Sequence, residues 1–477
     1  MSEGTPDLES IEEAYQSLKE KAKTATDRNE FGSALSLYQE ALNLKPTDAD
    51  AIVDLGNAYQ RLDQYHEAEK QYQAALACNP HSWRALNNLG IIHKERKQWD
   101  LAIHFYEKAI AADNQKAPAF NNLGNVYCDK EDFEKAEFYY KKAVALEPDD
   151  LHALYNLGVF YRDIKRFQEA LDILLKLEAP ENLKKHHLAA IVRSYKGLKA
   201  WDKAIEFLKL YLEVEPKSEW GHYQIGRIYF RLKDCYKAVE HLEKAIVLYQ
   251  NEPSTHYKPI NTYLKLLDVY KELENWKAIR HYSADYIKRY GPDADIFHAR
   301  GELYYRLKQF DLAELEIKKA LELEPGTGDF IFTLSNVYHS KGDFEARLYC
   351  FNELIQYYPE ESRNHLWKAI TLQHLNDRDD EGKGYLEQSL ESLQTAMTLK
   401  TGCWSHYYNQ GNVLFDMQRY DEALASYEKA IELDSQFGTS FFGAEKCLKA
   451  MGQKEKAEEY CKKGEQCAEF DWELVEM

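Results

Sequence analysis

The sequence predicts an all-α protein, a solenoid of antiparallel helix pairs stacked along 477 residues. Three observations carry that reading. Pro46, Pro80, Pro148 and Pro216 are separated by 34 residues or by multiples of 34. Small residues keep the same step: Gly56, Gly90, Gly124 and Gly158, with Gly226 two periods later, and Ala34, Ala68, Ala102, Ala136, Ala170, Ala204 and Ala238. A second alanine series runs Ala41, Ala75, Ala109 and Ala143. Repetition of this kind, at a period of 20–50 residues, marks a repeat architecture.

The unit from Ala49 to Ser82 shows why each half is helical. Ile52, Leu55, Gly56 and Tyr59 fall at i, i+3, i+4 and i+7, the spacing of one buried helix face. Tyr65, Ala68, Tyr72 and Ala75 repeat that spacing in the second half. Asn79-Pro80 ends the second helix, because proline disfavours helical geometry in the residue before it. A glycine inside a helix costs about 1 kcal/mol relative to alanine. Its recurrence at Gly56, Gly90, Gly124 and Gly158 points to close approach of the two helices.

Such units begin at Tyr15, Ala49, Trp83, Ala117, Leu151, Lys185, Glu219, Ile260, Ala294, Gly328, Ser362, Trp404 and Gly438. Residues 1–14 form an acidic N-terminal segment and 15–252 hold seven in-phase repeats. An insertion at 253–259 precedes three repeats over 260–361. The repeat at 362–403 carries a polar loop insertion near 376–384; two repeats at 404–471, the last a polar cap, lead to a tail at 472–477. Some units are degenerate, with Leu267, Ile279, Ser335, Arg347, Glu445 and Gly464 at positions where the pattern is broken. These changes either alter the pitch locally or are neutral drift.

The net charge of −19 argues against non-specific binding to nucleic acid or to anionic membranes. No stretch approaches 18 consecutive apolar residues, so no membrane insertion is expected, and MSEGTPDLES does not read as a signal peptide. Eight scattered cysteines without a CxxC spacing read as reduced thiols in a cytoplasmic protein. There is no P-loop, GxGxxG, GxSxG or HExxH. No catalytic residue, cofactor or metal site is therefore expected. His186 and His187 are adjacent and are expected to point apart, and Trp99, Trp201 and Trp276 read as packing residues.

The motif Ile52, Leu55-Gly56, Tyr59, Ala68, Tyr72, Ala75 and Pro80 resembles that of the tetratricopeptide repeat family. The next unit matches at Leu86, Leu89-Gly90, Ala102, Tyr106 and Ala109, and departs at His93 and Asn114. The resemblance covers nearly the whole chain. It implies a right-handed superhelix whose first helices line a concave groove holding extended peptides or partner helices. It also implies that positions 2, 5, 6, 9, 12 and 13 of each first helix face that groove. The family's chaperone-type carboxylate clamp is not in register: Lys19 is followed by Lys23 and then Asp54, where asparagines are required.

Read at those positions, the chain offers two candidate binding stretches. Asn88, Asn122 and Asn156 occupy position 6 of successive units, and Asn409 repeats it in the twelfth. Asn87, Asn121 and Asn125 lie beside them. Asparagine is a poor residue inside a helix, and its amide offers a donor and an acceptor to a peptide backbone. Similar asparagine ladders occur in the repeat domain of O-linked N-acetylglucosamine transferases. The alternatives are solvated amides in an inherited repeat, or amides that bond adjacent helices. The second stretch is basic: His152, Arg162, His186, Arg193, Lys196, Arg227 and Arg231. Trp220 and Tyr223 interleave it, as do Tyr155 and Phe230. Arginine forks and aromatic rings suit an acidic, carboxylate-bearing or phosphorylated segment; the alternative is pairing with acids such as Asp163 or Glu219. The chain thus reads as a non-enzymatic scaffold or adaptor that binds extended or acidic segments of other proteins. The second reading is a substrate-recruiting or regulatory subunit of an enzyme complex acting on proteins. Homo-oligomerisation through outer faces or terminal units stays open.

Overall fold

The computed structural model describes residues 8–177, 184–251, 259–378 and 384–467. The insertion expected at 253–259 and the loop near 376–384 fall largely outside these residues, as does the tail at 472–477. Every regular element among them is helical. The chain divides into two compact units, residues 1–228 and 229–477, at a boundary inside helix Glu219–Arg231.

In the first unit the first helices are Leu8–Asp27, Ala49–Arg61, Trp83–Glu95, Ala117–Asp129, Leu151–Asp163 and Lys185–Gly197. Their partners are Phe31–Leu44, Tyr65–Cys78, Trp99–Ala112, Phe133–Leu146, Phe167–Leu174 and Trp201–Val214. Each helix packs on the next, and neighbouring first helices touch along much of the unit. The second unit repeats the scheme from Cys235–Asn251 and Pro259–Glu272 through Gly438–Ala450 and Lys454–Cys467. The first helix starts at Leu8, about two turns before Tyr15. Phe167–Leu174 is shorter than its counterparts and ends in a 3-10 turn, Leu175–Leu177, ahead of Pro180.

The caps follow from side-chain chemistry. A helix leaves its first amides without partners, and a short acceptor at the preceding residue satisfies them. Asp48 accepts from the amides of Asp50 and Ala51, Ser82 from Ala85, and Asp150 from His152 and Ala153. The turn inside each pair is a backbone device. Asn29, Asp63, Lys97, Glu131, Lys165, Lys199 and Lys233, each 34 residues from the last, all adopt a left-handed conformation with φ of 58–64°. The Asp63 amide donates to the Gln60 carbonyl at 3.1 Å and the Gln64 amide to the Tyr59 carbonyl at 3.0 Å. That is the Schellman pattern, usually built on glycine.

The two helices of a pair meet at the glycine. A Cβ on Gly124 would lie 2.7 Å from the Tyr140 ring, and one on Gly158 2.6 Å from Leu174. The ring that fills this space also carries a hydroxyl. Tyr140 donates to Asn125 Oδ1 at 2.7 Å, Tyr72 to Asn57 Oδ1 at 2.9 Å, and Tyr427 to Asn412 Oδ1 at 2.7 Å. The asparagine stands 15 residues before the tyrosine each time. Ile91 occupies that place before Tyr106, whose fully buried hydroxyl has no hydrogen-bond partner among the described residues.

The larger residues at degenerate positions are accommodated inside. Leu267, Ile279 and Arg347 are each 3% exposed, so the broken motif still fills the core. Arg347 donates to His339 Nδ1 at 2.7 Å and lies over the rings of Phe351 and Trp367.

Candidate functional site

Within each unit, clefts open between neighbouring first helices. The cleft in the first unit, about 730 Å³, is lined by Asn57, Trp83, Arg84, Asn88, Ile91 and Pro118, among others. These lie at positions 9, 1, 2, 6, 9 and 2 of their helices, so the register assigned from the repeat largely describes this wall. Arg84 closes one side through ion pairs to Asp54 and, at 3.4 Å, to Asp50.

The asparagine series forms hydrogen bonds across repeats. Asn88 Nδ2 donates to Asn57 Oδ1 at 2.7 Å, Asn122 Nδ2 to Asn87 Oδ1 at 3.0 Å, and Asn156 Nδ2 to Asn121 Oδ1 at 3.1 Å. The links all run in the same direction, later repeat to earlier. Each asparagine thus spends one amide proton on its neighbour; the Asn88 side chain also hydrogen-bonds Tyr72, whereas Asn122 and Asn156 carry a second proton for another acceptor. Asn125, read beside the series, instead receives the Tyr140 hydroxyl and ties the two helices of its own repeat. In the twelfth repeat Asn409 donates to the Ser405 carbonyl of its own helix at 2.8 Å.

The ladder stops where position 6 becomes Ala190 and position 5 becomes Tyr155. An aromatic and basic cluster follows. Tyr155 lies 5.0 Å from the His186 ring, edge to face, and 5.1 Å from that of His187. The two histidine rings are 4.2 Å apart. The expectation that they point apart is therefore corrected: both converge on Tyr155. Burial holds the His186 pKa below the ordinary histidine value, and the charges of Lys184 and His152 add to the effect.

The other basic candidates separate into bound and available groups. Arg162 is half-buried and bonds Asp163 Oδ1 through Nε at 2.8 Å and Nη2 at 2.7 Å. Lys196 donates to Gln224 Oε1, joining helix Lys185–Gly197 to Glu219–Arg231. Arg193 and Arg227 are exposed, at position 9 of adjacent first helices, and make no ion pair among the described residues. The Arg227 guanidinium lies 5.4 Å from the centre of the Tyr223 ring. Trp220 is half-buried, its ring 4.9 Å from Tyr211. Arg231 is exposed and belongs to the second unit. Lys19, at the clamp position, pairs with Asp48 at 3.0 Å.

The second cleft, about 480 Å³, lies between helices Ser362–Asn376 and Trp404–Asp416 of the second unit. Its apolar residues are Leu366, Trp367, Ile370, Trp404 and Tyr408. Asn409, the twelfth-repeat member of the asparagine series, lines it, but its aromatic residues are not among the residues expected from the sequence. The signal was present, since Leu366, Trp367 and Ile370 stand at positions 5, 6 and 9. Among the described residues, no set of His, Cys, Asp and Glu is arranged to hold a metal ion, and no helix is long and apolar enough to cross a membrane.

Stacked helix pairs and clefts between their first helices define a helical repeat scaffold. Tetratricopeptide repeat profiles match residues 53–117, 117–150, 139–172, 221–252, 294–327 and 405–437, and a TPR repeat profile matches 23–63. The chain belongs to the tetratricopeptide repeat superfamily. It is similar to the BBSome complex member BBS4 of Bos taurus, 24% identical over 190 residues, which are 38% of this chain. The match spans about a third (34%) of that relative's length. Among solved structures it is similar to the APC/C hetero-tetramer Cut9-Hcn1, at 14% identity and a TM-score of 0.40, covering 96% of this chain and 88% of that one. It is also similar to Pseudomonas aeruginosa pilF, at 20% identity and a TM-score of 0.39, covering 44% and 95%.

Proposed function

We propose that this chain is an interaction scaffold, a subunit that holds extended, acid-bearing segments of partner proteins along the first-helix face of residues 1–228. The observation that carries the reading is the Arg193–Arg227 pair. Two exposed guanidinium groups stand 34 residues apart, at the same position of adjacent helices, without an ion pair among the described residues. In a chain of net charge −19, most surface cations have acids available. An arginine left outside such pairs can offer its donor fork to a carboxylate or phosphate. Asn88, Asn122 and Asn156 lead towards this pair, and the amides of Asn122 and Asn156 each carry a second proton that can meet a peptide carbonyl. Trp220 and Tyr223 supply ring surface beside it. The reduced cysteines suit a cytoplasmic setting. The similarity to a protein described as a complex member favours a subunit over a free-standing binder.

The test is affinity purification with cross-linking mass spectrometry, comparing the natural chain with Arg193→Glu/Arg227→Glu. Partner cross-links to helices Lys185–Gly197 and Glu219–Arg231 should vanish in the variant. A variant that keeps every partner and every cross-link would remove the pair from the reading.

A further inference from the structure

We infer that the cleft between helices Ser362–Asn376 and Trp404–Asp416 is a second docking site. Its occupant is a short acidic segment of another protein that carries one bulky apolar side chain. The site lies wholly in the second unit and does not depend on the arginine pair of the first.

The walls are fixed before any ligand arrives. Trp367 stacks parallel to Phe351, with ring centres 6.5 Å apart, and the buried Arg347 guanidinium lies on its face. Trp404 packs on Phe437 at 3.8 Å. Ser362 Oγ and His406 Nε2, both buried, meet at 3.4 Å and join the starts of the two helices. Side chains held in this way need little ordering on binding, which removes part of the usual entropic cost. The cleft is about 480 Å³, room for one or two large side chains. Half-buried tryptophan and tyrosine at such a face are the residue types that dominate binding energy at interfaces.

Charge selects the occupant. Arg363 and Lys400 stand at the cleft, exposed, with no ion pair among the described residues. Arg363 is steadied over the Phe332 ring at 5.8 Å. Glu361 is the one carboxylate in the lining, so the lip is net positive within an acidic chain. A basic lip around an apolar floor favours an anchor side chain flanked by carboxylates and disfavours one flanked by lysines.

Fluorescence anisotropy of a labelled Ser-Glu-Phe-Asp-Glu-Ser peptide with the full chain tests this. Replacing Phe by Ala, or the acids by Lys, should weaken binding at least about tenfold. Arg363→Glu/Lys400→Glu should do the same while circular dichroism stays unchanged, because both side chains are exposed. Arg193→Glu/Arg227→Glu should leave the affinity as it was. The inference is overturned by no saturable binding, by equal affinity for the lysine peptide, or by undiminished binding to Arg363→Glu/Lys400→Glu. Loss of binding on reversing the first-unit arginines would equally overturn it, by placing the peptide there.

Discussion

Removing one oxygen from a tyrosine should have opposite consequences in neighbouring repeats. Tyr140 and Tyr106 are equivalent residues, 34 apart, both buried against the glycine of their repeat. The Tyr140 hydroxyl donates to Asn125 at 2.7 Å, whereas Ile91 leaves the Tyr106 hydroxyl unmatched. A satisfied hydrogen bond contributes about 0.5–1.5 kcal/mol, and an unsatisfied buried polar group costs about 1–3 kcal/mol. Tyr140→Phe should therefore destabilise its repeat by about 1 kcal/mol, because it also orphans Asn125 Oδ1. Tyr106→Phe should be neutral or stabilising by up to about 1–2 kcal/mol, since it removes a desolvated group and keeps the ring. Ile91→Asn should supply the missing acceptor and reverse the ranking of Tyr and Phe at 106. Repeat arrays open locally, so amide hydrogen exchange resolved by repeat is the appropriate assay, with urea denaturation followed by circular dichroism beside it. Equal losses from Tyr106→Phe and Tyr140→Phe would refute the reasoning, as would a failure of Ile91→Asn to change the effect at 106.

Gly124→Ala should destabilise by about 1–2 kcal/mol, because overpacking against Tyr140 outweighs the gain in helix propensity. Gly32→Ala, with nothing within 4 Å of the added carbon, should be neutral or stabilising in the same denaturation assay. Lys199→Gly should stabilise by about 0.5 kcal/mol: φ is 59°, and relief of left-handed strain exceeds the added freedom of the unfolded chain. Glu314 should shape the acid limb of stability. Burial raises its pKa, but hydrogen bonds from Lys318, Lys341 and Tyr338 outweigh this and bring it to about 2. A depressed folded-state pKa gives stability that is full above the ordinary glutamate range and is lost as pH falls through about 4 towards 2. Glu314→Gln should flatten that limb in acid titrations followed by circular dichroism; an unchanged limb would count against the assignment.

Much of this fold is legible in the sequence because its signals are side chains with fixed tasks. Asp48, Ser82 and Asp150 cap helices, and Gly56 and Gly124 admit a neighbouring ring; these set the starts at Ala49, Trp83 and Leu151. The left-handed turns are not legible in the same way. Asn29, Asp63, Lys97 and Glu131 share a conformation but no chemistry, since backbone hydrogen bonds impose it. The candidate site divides likewise. Periodicity finds Asn88, Asn122 and Asn156 and leaves bonding to an adjacent helix as one alternative; it does not give the partner in the repeat before, because that depends on helix spacing. The convergence of His186 and His187 escaped an argument from adjacency, since rotamers that turn both rings towards Tyr155 depend on that tyrosine's position.

The asparagine links also act as a ruler. A side-chain hydrogen bond of 2.7–3.1 Å between consecutive first helices permits little change in their spacing. From Asn57 to Asn156 the graduations are therefore pinned, and a peptide lying there meets contacts at a set interval. Beyond Asn156 the asparagine links end; the softer ring contact of Tyr155 with His186 spans the next interval, before Lys196 bonds Gln224 across the one after. A partner with rigidly spaced side chains would be measured along the pinned stretch. One whose length varies would find its slack where the asparagines end.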